Sequence, residues 1–344
     1  MPSAMPSKTE SEAAASTANS GLKYDPAFFS VVSPWANIKA TVSDNPQSVR
    51  ATTDGTLARF YSQIPRPPAV VTETTFQFKA KDGEMLNILR FTPPAYVAPA
   101  NAKPTSPQPA VLYIHGGGLI SGSVSLFKQS IINYAGRSGL PFFAVSYRLA
   151  PEHPYPGPLE DVYAALEWLR DNSKEQNVDP ARIALFGPSA GGALAAGAAL
   201  MARDKGFSPP IKKLVLLYPM LDDRTDSTVV GPDHPLNDYL TWTVKHNEIG
   251  WNSYLGAEKG KVSPYAAPAR AADVTGLPAT YIDTGNIDLF RDEIMAFGSR
   301  LAAANVDVEM HVYPGVPHIW EVFAPDVPSA KKAIENRLGA LREL

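Results

Sequence analysis

The stretch Gly187-Pro188-Ser189-Ala190-Gly191-Gly192 decides the fold of this chain. It follows a short apolar run at 182–186, which predicts a strand, and it precedes an Ala- and Leu-rich run, which predicts a helix. A Gly-x-Ser-x-Gly sequence between a strand and a helix is typical of a nucleophile elbow, a sharp turn that holds a serine hydroxyl above the end of a sheet. The alternative interpretation is a glycine-rich turn in which Ser189 only caps the helix.

Short apolar runs bounded by turn residues recur on both sides of this stretch. A pair of runs at 70–79 and 86–91, separated by Lys81-Asp82-Gly83, predicts an antiparallel hairpin at a sheet edge. The sequence therefore predicts an α/β fold with a mostly parallel eight-stranded sheet flanked by helices. The six further strands are expected at 110–114, 142–146, 183–186, 214–218, 279–283 and 306–313. Helical patterns lie at 126–138, 159–172, 190–203, 291–304 and 329–341.

Two segments, 22–65 and 221–262, depart from this alternation of strands and helices. We expect them to form a helical cap over the strand ends, where open α/β sheets bind ligands, although an ordinary surface layer of helices is the alternative. Residues 66–220 and 263–344 would then form the catalytic domain, and the polar composition of residues 1–21 predicts a disordered tail. Aromatic side chains in the expected cap favour an apolar or aromatic substrate group; they include Phe28, Phe29, Trp242 and Trp251.

Composition excludes several classes of function. The 344 residues contain no cysteine, so disulfides, cysteine-ligated zinc and a thiol nucleophile are excluded. The six histidines show no His-Glu-x-x-His pattern, so we expect no metal site, and a net charge of −3 without a basic block argues against nucleic acid as a partner. No apolar run approaches the ~18 residues that a membrane span needs. The N terminus has no secretory signal, so we expect a cytoplasmic location.

A second glycine-rich stretch, His115-Gly116-Gly117-Gly118, follows the expected strand at 110–114. Acyl transfer passes through a tetrahedral intermediate whose negatively charged oxygen needs preorganised hydrogen-bond donors about 3 Å away. Backbone N–H groups of a glycine loop can turn inward because no Cβ blocks them. Gly117 and Gly118 are therefore candidates for an oxyanion hole, with the N–H of Ala190 as a third donor. A flexible loop is the alternative, and a phosphate-binding loop fits less well because no Lys-Ser or Lys-Thr pair follows.

A serine nucleophile needs a general base, and in folds with this elbow the chain order is serine, acid, histidine. His318 lies in a loop directly after the last expected strand, from which an imidazole can reach over the sheet edge to Ser189. His234 and His246 lie in the second cap segment, and His311 lies inside a strand, where a structural role is expected.

The orienting acid is expected after the strand at 279–283. Asp288 lies in the loop that follows this strand, where it can reach Nδ1 of His318. Asp292 is the alternative, but with Glu293 it falls in the first turn of the next helix, where carboxylates stabilise the helix dipole without catalysis. Asp283 ends the strand and can cap the turn.

With these residues in order, the sequence resembles the hormone-sensitive-lipase-like family of esterases, the α/β-hydrolase fold-3 group. The matching blocks, spread over about residues 70–344, are 115–118 with 121–123, 147–154, 187–192, Asp288 with 291–293, and 313–318. The resemblance implies an α/β-hydrolase fold with a cap, a triad of Ser189, Asp288 and His318, and hydrolysis of carboxylic esters without a cofactor. It also implies short or medium acyl chains and a possible homodimer through the last strand and the C-terminal helix.

The sequence departs from the family pattern at three positions. Pro188 stands where the family usually has Asp, so hydrogen bonding beside the nucleophile must differ, since proline has no N–H. Leu289 stands where the family often has Pro, and Ile319 where it has Gly. We expect the changes at Leu289 and Ile319 to alter the substrate pocket rather than the triad. We expect the mechanism to survive the change at Pro188, because the N–H expected in the oxyanion hole belongs to Ala190.

The block at 147–154 contains charged residues beside the expected site. Arg148 and Glu152 are expected to brace the oxyanion loop, with Asp161 as a further member of that network. His153 precedes the elbow in the chain and is not expected to be the base.

The same triad also serves acyltransferases, lactonases and peptidases, and the fold does not choose among them. No propeller-sized N-terminal domain is present, which disfavours a large oligopeptidase, and the presence of His318 disfavours a non-catalytic ligand-binding protein. The sequence therefore predicts a serine carboxylesterase that acts on a small-molecule ester with a short or medium acyl chain or an aromatic group.

Overall fold

The computed structural model describes residues 21–36, 41–65, 67, 70–94, 106–256 and 260–344. Its centre is one sheet whose strands span Thr72–Lys79 (β1), Met85–Thr92 (β2), Gln108–Tyr113 (β3), Phe142–Val145 (β4), Val178–Pro188 (β5), Lys213–Leu217 (β6), Ala279–Gly285 (β7) and Val308–Tyr313 (β8). The spatial order is β1-β2-β4-β3-β5-β6-β7-β8. β2 pairs antiparallel with β1 and β4, and all later neighbours are parallel.

Helices cover both faces of the parallel strands, so β4 and β6 are buried at every position. The helices span Pro26–Val32 (α1), Pro46–Tyr61 (α2), Val124–Ser138 (α3), Gly157–Asp171 (α4), Ala190–Asp204 (α5), Val244–Leu255 (α6), Arg291–Ala303 (α7), Trp320–Phe323 (α8) and Pro328–Arg342 (α9). Helix α2 has a typical N-terminal cap: the side chain of Asn45 accepts the N–H of Ser48, and Pro46 occupies the first turn.

The helices α1, α2 and α6 lie beside the carboxyl ends of the parallel strands. Helix α2 packs against α3, α6 and α8. Residues of α1, of α2 and of the segment 237–246 line one cavity together with Gly116 and Ser189 from the strand ends. The two segments that depart from the strand–helix alternation therefore meet above one edge of the sheet.

The predicted fold class is confirmed. All eight predicted strands and all five predicted helices are present, with ends that differ by a few residues. The largest difference is at β5, which begins at Val178 because that residue pairs with Gln108 across an irregularity in the register. Residues 1–20 of the predicted tail lie outside the described residues. None of the helices in the described ranges has both the length and the apolar character that a membrane crossing requires.

Candidate active site

Ser189 lies in the turn between β5 and α5 with a strained backbone. Its φ of 55° and ψ of −122° fall where residues other than glycine are uncommon. Two backbone hydrogen bonds hold this conformation, because its N–H donates to the Leu217 carbonyl (2.8 Å) and its carbonyl accepts the Met220 N–H (3.1 Å). Gly191 allows the helix to approach β3, since a Cβ there would lie 2.0 Å from the carbonyl oxygen of Ile114. This is the geometry of a nucleophile elbow.

The structure brings the predicted side chains of Ser189, His318 and Asp288 together. His318 Nε2 lies 2.9 Å from Ser189 Oγ, and His318 Nδ1 lies 2.8 Å from Asp288 Oδ2. A carboxylate only accepts hydrogen bonds, so Nδ1 carries a proton, and in a neutral imidazole Nε2 can then accept the serine hydroxyl. All three residues are buried. The arrangement can therefore move a proton from Ser189 to His318 while the carboxylate balances the charge.

Asp288 is fixed in the turn between β7 and α7. Its Oδ1 accepts the N–H of Phe290 at 3.0 Å, and the Thr284 hydroxyl lies 3.5 Å from its Oδ2. The alternative acid, Asp292, is exposed and pairs with Arg291 beside it. The structure therefore places Asp288, and not Asp292, on the imidazole.

The other candidate histidines have different partners. His311 pairs with Glu309 on β8, with 2.8 Å between Nε2 and the carboxylate. His234 and His246 cap the start of a short 3-10 helix and of α6, and His153 is exposed in a turn. Within the described part of the chain, none of these rings is hydrogen-bonded to the elbow serine.

Residues 115–122, which we call the oxyanion loop, follow β3 and contact the elbow. His115 Nδ1 lies 2.8 Å from the carbonyl oxygen of Gly116. Because that oxygen only accepts, Nδ1 carries the proton, and burial lowers the pKa of His115 to about 4, which keeps the ring neutral. In a planar trans peptide the N–H points away from the C=O, so this bond fixes the direction of the Gly117 N–H.

The next peptide of the oxyanion loop is held in the same way. The carbonyl oxygen of Gly117 accepts the Ser121 N–H at 2.9 Å and the Ser121 hydroxyl at 2.7 Å. The N–H of Gly118 lies on the opposite side of that peptide plane. Both glycines have positive φ values, 121° and 59°, which glycine adopts without a steric penalty. Each predicted donor N–H thus belongs to a peptide whose carbonyl oxygen is held by a hydrogen bond, and this leaves the N–H groups of Gly117 and Gly118 available.

A cavity of about 660 Å³ opens above these groups. The Trp242 ring from the segment 221–262 packs on the oxyanion loop, because a Cβ on Gly118 would lie 2.3 Å from it. Of the four aromatic residues expected to favour an apolar substrate, Phe28 and Trp242 line the cavity, whereas Trp251 is buried in the core and Phe29 is exposed. The lining also includes Gly117, Gly118, Ser189 and His318 together with Trp35, Phe60, Tyr239 and Phe323.

A second group of buried charges lies behind the elbow. Arg337 of α9 is fully buried and binds Asp283 through Nε (2.7 Å) and Nη2 (3.1 Å). Its Nη1 binds Glu321 Oε1 at 2.6 Å, and the Tyr218 hydroxyl donates to that same oxygen at 2.6 Å. Asp283 therefore does not cap the turn after β7 but belongs to an internal ion-pair network.

A family model described as the alpha/beta hydrolase fold matches residues 111–322, well over half of the chain. The chain belongs to the hormone-sensitive-lipase-like group of α/β hydrolases. Esterase LipI of Mycobacterium tuberculosis is 36% identical over 247 residues, which are 70% of this chain and 75% of that protein. Carboxylesterase NlhH of the same organism is 36% identical over 68% of this chain and 73% of that protein. A solved structure of a bacterial heroin esterase is 32% identical, with a TM-score of 0.79 over 93% of this chain and 98% of that chain.

The bracing network of this α/β hydrolase differs from the one that the sequence predicts. Arg148 pairs with buried Asp161, as expected, but its other contacts are Asp82 and Glu84 in the β1–β2 hairpin. Arg148 therefore ties α4 to the β1–β2 hairpin, and the partners of its hydrogen bonds lie outside the oxyanion loop. The block contacts the loop instead through Tyr147, whose hydroxyl donates to the His115 carbonyl at 2.8 Å and whose ring stacks on the imidazole, and through Ala150, whose N–H donates to the Leu119 carbonyl at 3.1 Å.

Two residues of α2 that were not predicted from the sequence contact the oxyanion loop of this hydrolase. Arg50 donates to the carbonyl of Ile120, and Asp54 accepts the N–H of Gly122. No local motif marks them, because their partners lie about 70 residues later in the chain. As for metals, within the described ranges no group of three or more His, Asp or Glu side chains is placed to hold an ion.

Proposed function

We propose that this serine carboxylesterase uses Ser189 as nucleophile, His318 as general base and acid, and Asp288 as the residue that orients the imidazole. The observation that carries the proposal is the continuous line of hydrogen bonds from Asp288 through His318 to Ser189 at the floor of the cavity. The names of its relatives, an esterase and a carboxylesterase, support an ester as the substrate.

The first half of the reaction forms an acyl-enzyme. Ser189 Oγ attacks the ester carbonyl carbon while His318 Nε2 takes the hydroxyl proton. Asp288 stabilises the imidazolium through its bond to Nδ1. When the tetrahedral intermediate collapses, the bond to the alcohol oxygen breaks, and that oxygen takes the proton from Nε2.

The second half hydrolyses the acyl-enzyme by the same route. His318 Nε2 takes a proton from water as the water oxygen attacks the acyl carbon. The bond to Ser189 Oγ then breaks, Oγ takes the proton back, and the carboxylic acid leaves. In both halves the N–H groups of Gly117, Gly118 and Ala190 hold the negatively charged oxygen, and the α5 N-terminus adds its positive end of the helix dipole.

The substrate proposed for this site is a small ester with a short or medium acyl chain or an aromatic group. The volume of about 660 Å³ falls in the range of small-molecule pockets, and aromatic side chains form much of its wall. Residues 22–65 and 221–262 act as a cap in this proposal, since both contribute side chains to that wall. A cytoplasmic location, and a homodimer through β8 at the sheet edge and α9, stay predictions.

The experiment is hydrolysis of p-nitrophenyl butyrate by the wild type and by Ser189→Ala. We expect kcat to fall by at least about 10⁴-fold, because the nucleophile is removed while the fold is kept. Ser62→Ala, which changes an exposed serine at the end of α2, is the matched control and should retain full activity. Retention of near wild-type turnover by Ser189→Ala would disprove the assignment.

Two further measurements separate the competing functions. A fluorophosphonate should label Ser189 in the wild type, and failure to label it would favour a non-catalytic ligand-binding protein. Offering thioester, lactone and peptide substrates, with and without alcohol acceptors, tests for acyltransferase, lactonase and peptidase activity. A faster transfer to alcohol than to water would replace the hydrolase proposal with a transferase.

A further inference from the structure

Two side chains of α2 reach the oxyanion loop from a part of the chain that precedes the family match at 111–322. Arg50 and Asp54 are four residues apart, so they project from the same face of the helix. Asp54 Oδ1 accepts the Gly122 N–H at 2.8 Å, and Arg50 Nε donates to the carbonyl of Ile120. Both contacts therefore fall on the C-terminal half of the loop, just after the proposed donors.

The Asp54 contact limits the position of the first peptide of the proposed oxyanion hole, the one that joins Gly116 to Gly117. Gly122 packs so closely on the Gly116 carbonyl that a Cβ on Gly122 would lie 2.3 Å from that oxygen and 2.9 Å from His115 Nδ1. The position of Gly122 thus limits where the hydrogen bond between His115 and Gly116 can lie. The far side of that same peptide carries the Gly117 N–H.

The Arg50 contact limits the position of the second peptide, the one that joins Gly117 to Gly118. The N–H of Ile120 donates to the Gly117 carbonyl at 3.2 Å, while the Ile120 carbonyl accepts from Arg50. The same guanidinium donates to the Ala150 carbonyl at 2.8 Å and pairs with Glu152 at 2.6 Å. Arg50 therefore joins the oxyanion loop to the segment 147–154 and limits the movement of the peptide whose N–H belongs to Gly118.

We propose that Arg50 and Asp54 are positioning residues that hold the oxyanion loop at its productive geometry from α2. This inference rests on the proposed function, because it assigns the two residues to the donors of that reaction. On the same helix, Thr53, Thr56 and Leu57 line the cavity. One helix thus forms part of the substrate wall and also sets the place of the donors.

The two roles of α2 predict where a loss appears. A donor that is displaced stabilises the developing charge less well, but it need not weaken the binding of the neutral ester. Removal of a donor costs 10²–10³ in kcat, and here the donor is only displaced, so we expect a fall of about 10-fold.

The experiment compares Asp54→Ala, Asp54→Asn and Arg50→Gln with the full-length wild type on p-nitrophenyl butyrate. We expect kcat to fall about 10-fold in Asp54→Ala and Arg50→Gln, with KM within about twofold of the wild type. Asp54→Asn keeps a side-chain oxygen that can accept the Gly122 N–H, so it should retain at least half of the activity. Matched controls are Asp44→Ala, an exposed acid just before α2, and Arg59→Ala, an exposed cation on α2.

A second readout is independent of turnover. A trifluoromethyl ketone forms a tetrahedral adduct with the nucleophile, so its affinity should fall by the same factor as kcat/KM in Asp54→Ala and Arg50→Gln. Thermal unfolding of each variant tests whether the fold is kept, and because Asp54→Asn preserves both shape and acceptor, it remains informative if the alanine variant is unstable.

Three outcomes would overturn the positioning role: wild-type kcat in both Asp54→Ala and Arg50→Gln, an increase in KM alone, or an Asp54→Asn variant as impaired as the alanine variant. If the wild type itself neither hydrolyses esters nor reacts with a fluorophosphonate, the proposed function fails instead. The two failures are therefore distinguishable.

Discussion

Two buried carboxylates lie close together in the sequence, in β7 and in the turn after it, and have different partners. Asp283 lies within β7 and Asp288 five residues later in the turn that follows, and both are fully buried. Asp283 binds the guanidinium of Arg337 through both oxygens, whereas Asp288 binds the imidazole of His318 through one. Their places in the sequence separate them, because Asp283 falls at the end of a predicted strand and Asp288 in the loop after it, but no local pattern indicates Arg337 as the partner of Asp283.

The difference lies in what each partner can do with a proton. Arginine stays protonated in proteins, so the charge of Asp283 is compensated permanently, and neither member of that pair lines the described cavity. An imidazole can take up and release a proton, and the second nitrogen of His318 lies 2.9 Å from a serine hydroxyl. Burial of a carboxylate therefore does not by itself mark a candidate active site, whereas a titratable partner that also faces a serine hydroxyl does.

The largest expected effect comes from Asp288→Asn. The Asn oxygen can still accept the Phe290 N–H, which turns its NH₂ group toward His318 Nδ1 and forces that nitrogen to accept. The ring proton then moves to Nε2, and a protonated Nε2 cannot accept the hydrogen bond from the Ser189 hydroxyl. We expect kcat to fall by about 10⁴-fold with little change in the midpoint of thermal unfolding.

The matched control for this substitution is Asp292→Asn. Asp292, the alternative acid, lies in the first turn of α7, is exposed, and pairs with Arg291. We expect its kcat to stay within about twofold of the wild type, because surface ion pairs contribute little. Equal losses in the two variants would mean that the carboxylate on the imidazole has no special role.

The second prediction concerns Asp283 and its partner Arg337. Here we expect a loss of stability with little change in kcat, the reverse of the result expected for Asp288. Arg337→Met removes one partner from a buried ion pair and leaves Asp283 and Glu321 without their cation. We expect the free energy of unfolding in urea to fall by about 3–5 kcal/mol, while kcat per folded molecule changes by less than about threefold.

The control for Arg337→Met lies on the same helix. Arg342 is exposed and lies 3.7 Å from Glu335, so Arg342→Met should change the free energy of unfolding by no more than about 0.5 kcal/mol. A stable Arg337→Met variant that has lost turnover would show that the buried network serves catalysis, and the comparison between the two carboxylates would fail.

The fold could be predicted from the sequence because its signals are local. Apolar runs bounded by turn residues marked each strand of the sheet, and the glycines around Ser189 marked the elbow. The choice of His318 depended on chain order and on its place in a loop after β8. The structure brings this histidine to Ser189 and Asp288, so the geometric part of that prediction followed from a loop position that is visible in the sequence.

Contacts between distant segments could not be predicted in this way. The Asp283 partner is 54 residues later on α9, and the Asp54 partner is 68 residues later in the oxyanion loop. No spacing rule links such pairs, because their distance is set by how helices pack on the sheet. Arg148 illustrates the same limit: its charge and its place beside the site suggested bracing of the oxyanion loop, but it pairs with Asp82 and Glu84 of the hairpin.

The smallest expected effect is that of Tyr218→Phe. Tyr218 lies between the two carboxylate systems. Its hydroxyl donates to Glu321 at 2.6 Å, and its ring meets the His318 imidazole edge to face at 4.7 Å. Burial raises the pKa of Tyr218 well above its usual value, so the hydroxyl stays a neutral donor. Tyr218→Phe removes only the hydrogen bond to the ion-pair network. We expect the free energy of unfolding to fall by about 1–2 kcal/mol and kcat to stay within about threefold.

Tyr218→Leu tests the other contact, because it removes the ring that supports the imidazole as well as the hydroxyl. We expect its kcat to fall about 10-fold and its stability to fall further than that of Tyr218→Phe, since a buried aromatic ring is lost. Urea unfolding and p-nitrophenyl butyrate turnover, measured on both variants, separate the two contacts. If Tyr218→Phe loses as much turnover as Tyr218→Leu, the hydroxyl must transmit the charge of the Arg337 network to His318, and the two buried carboxylates would then belong to one electrostatic system.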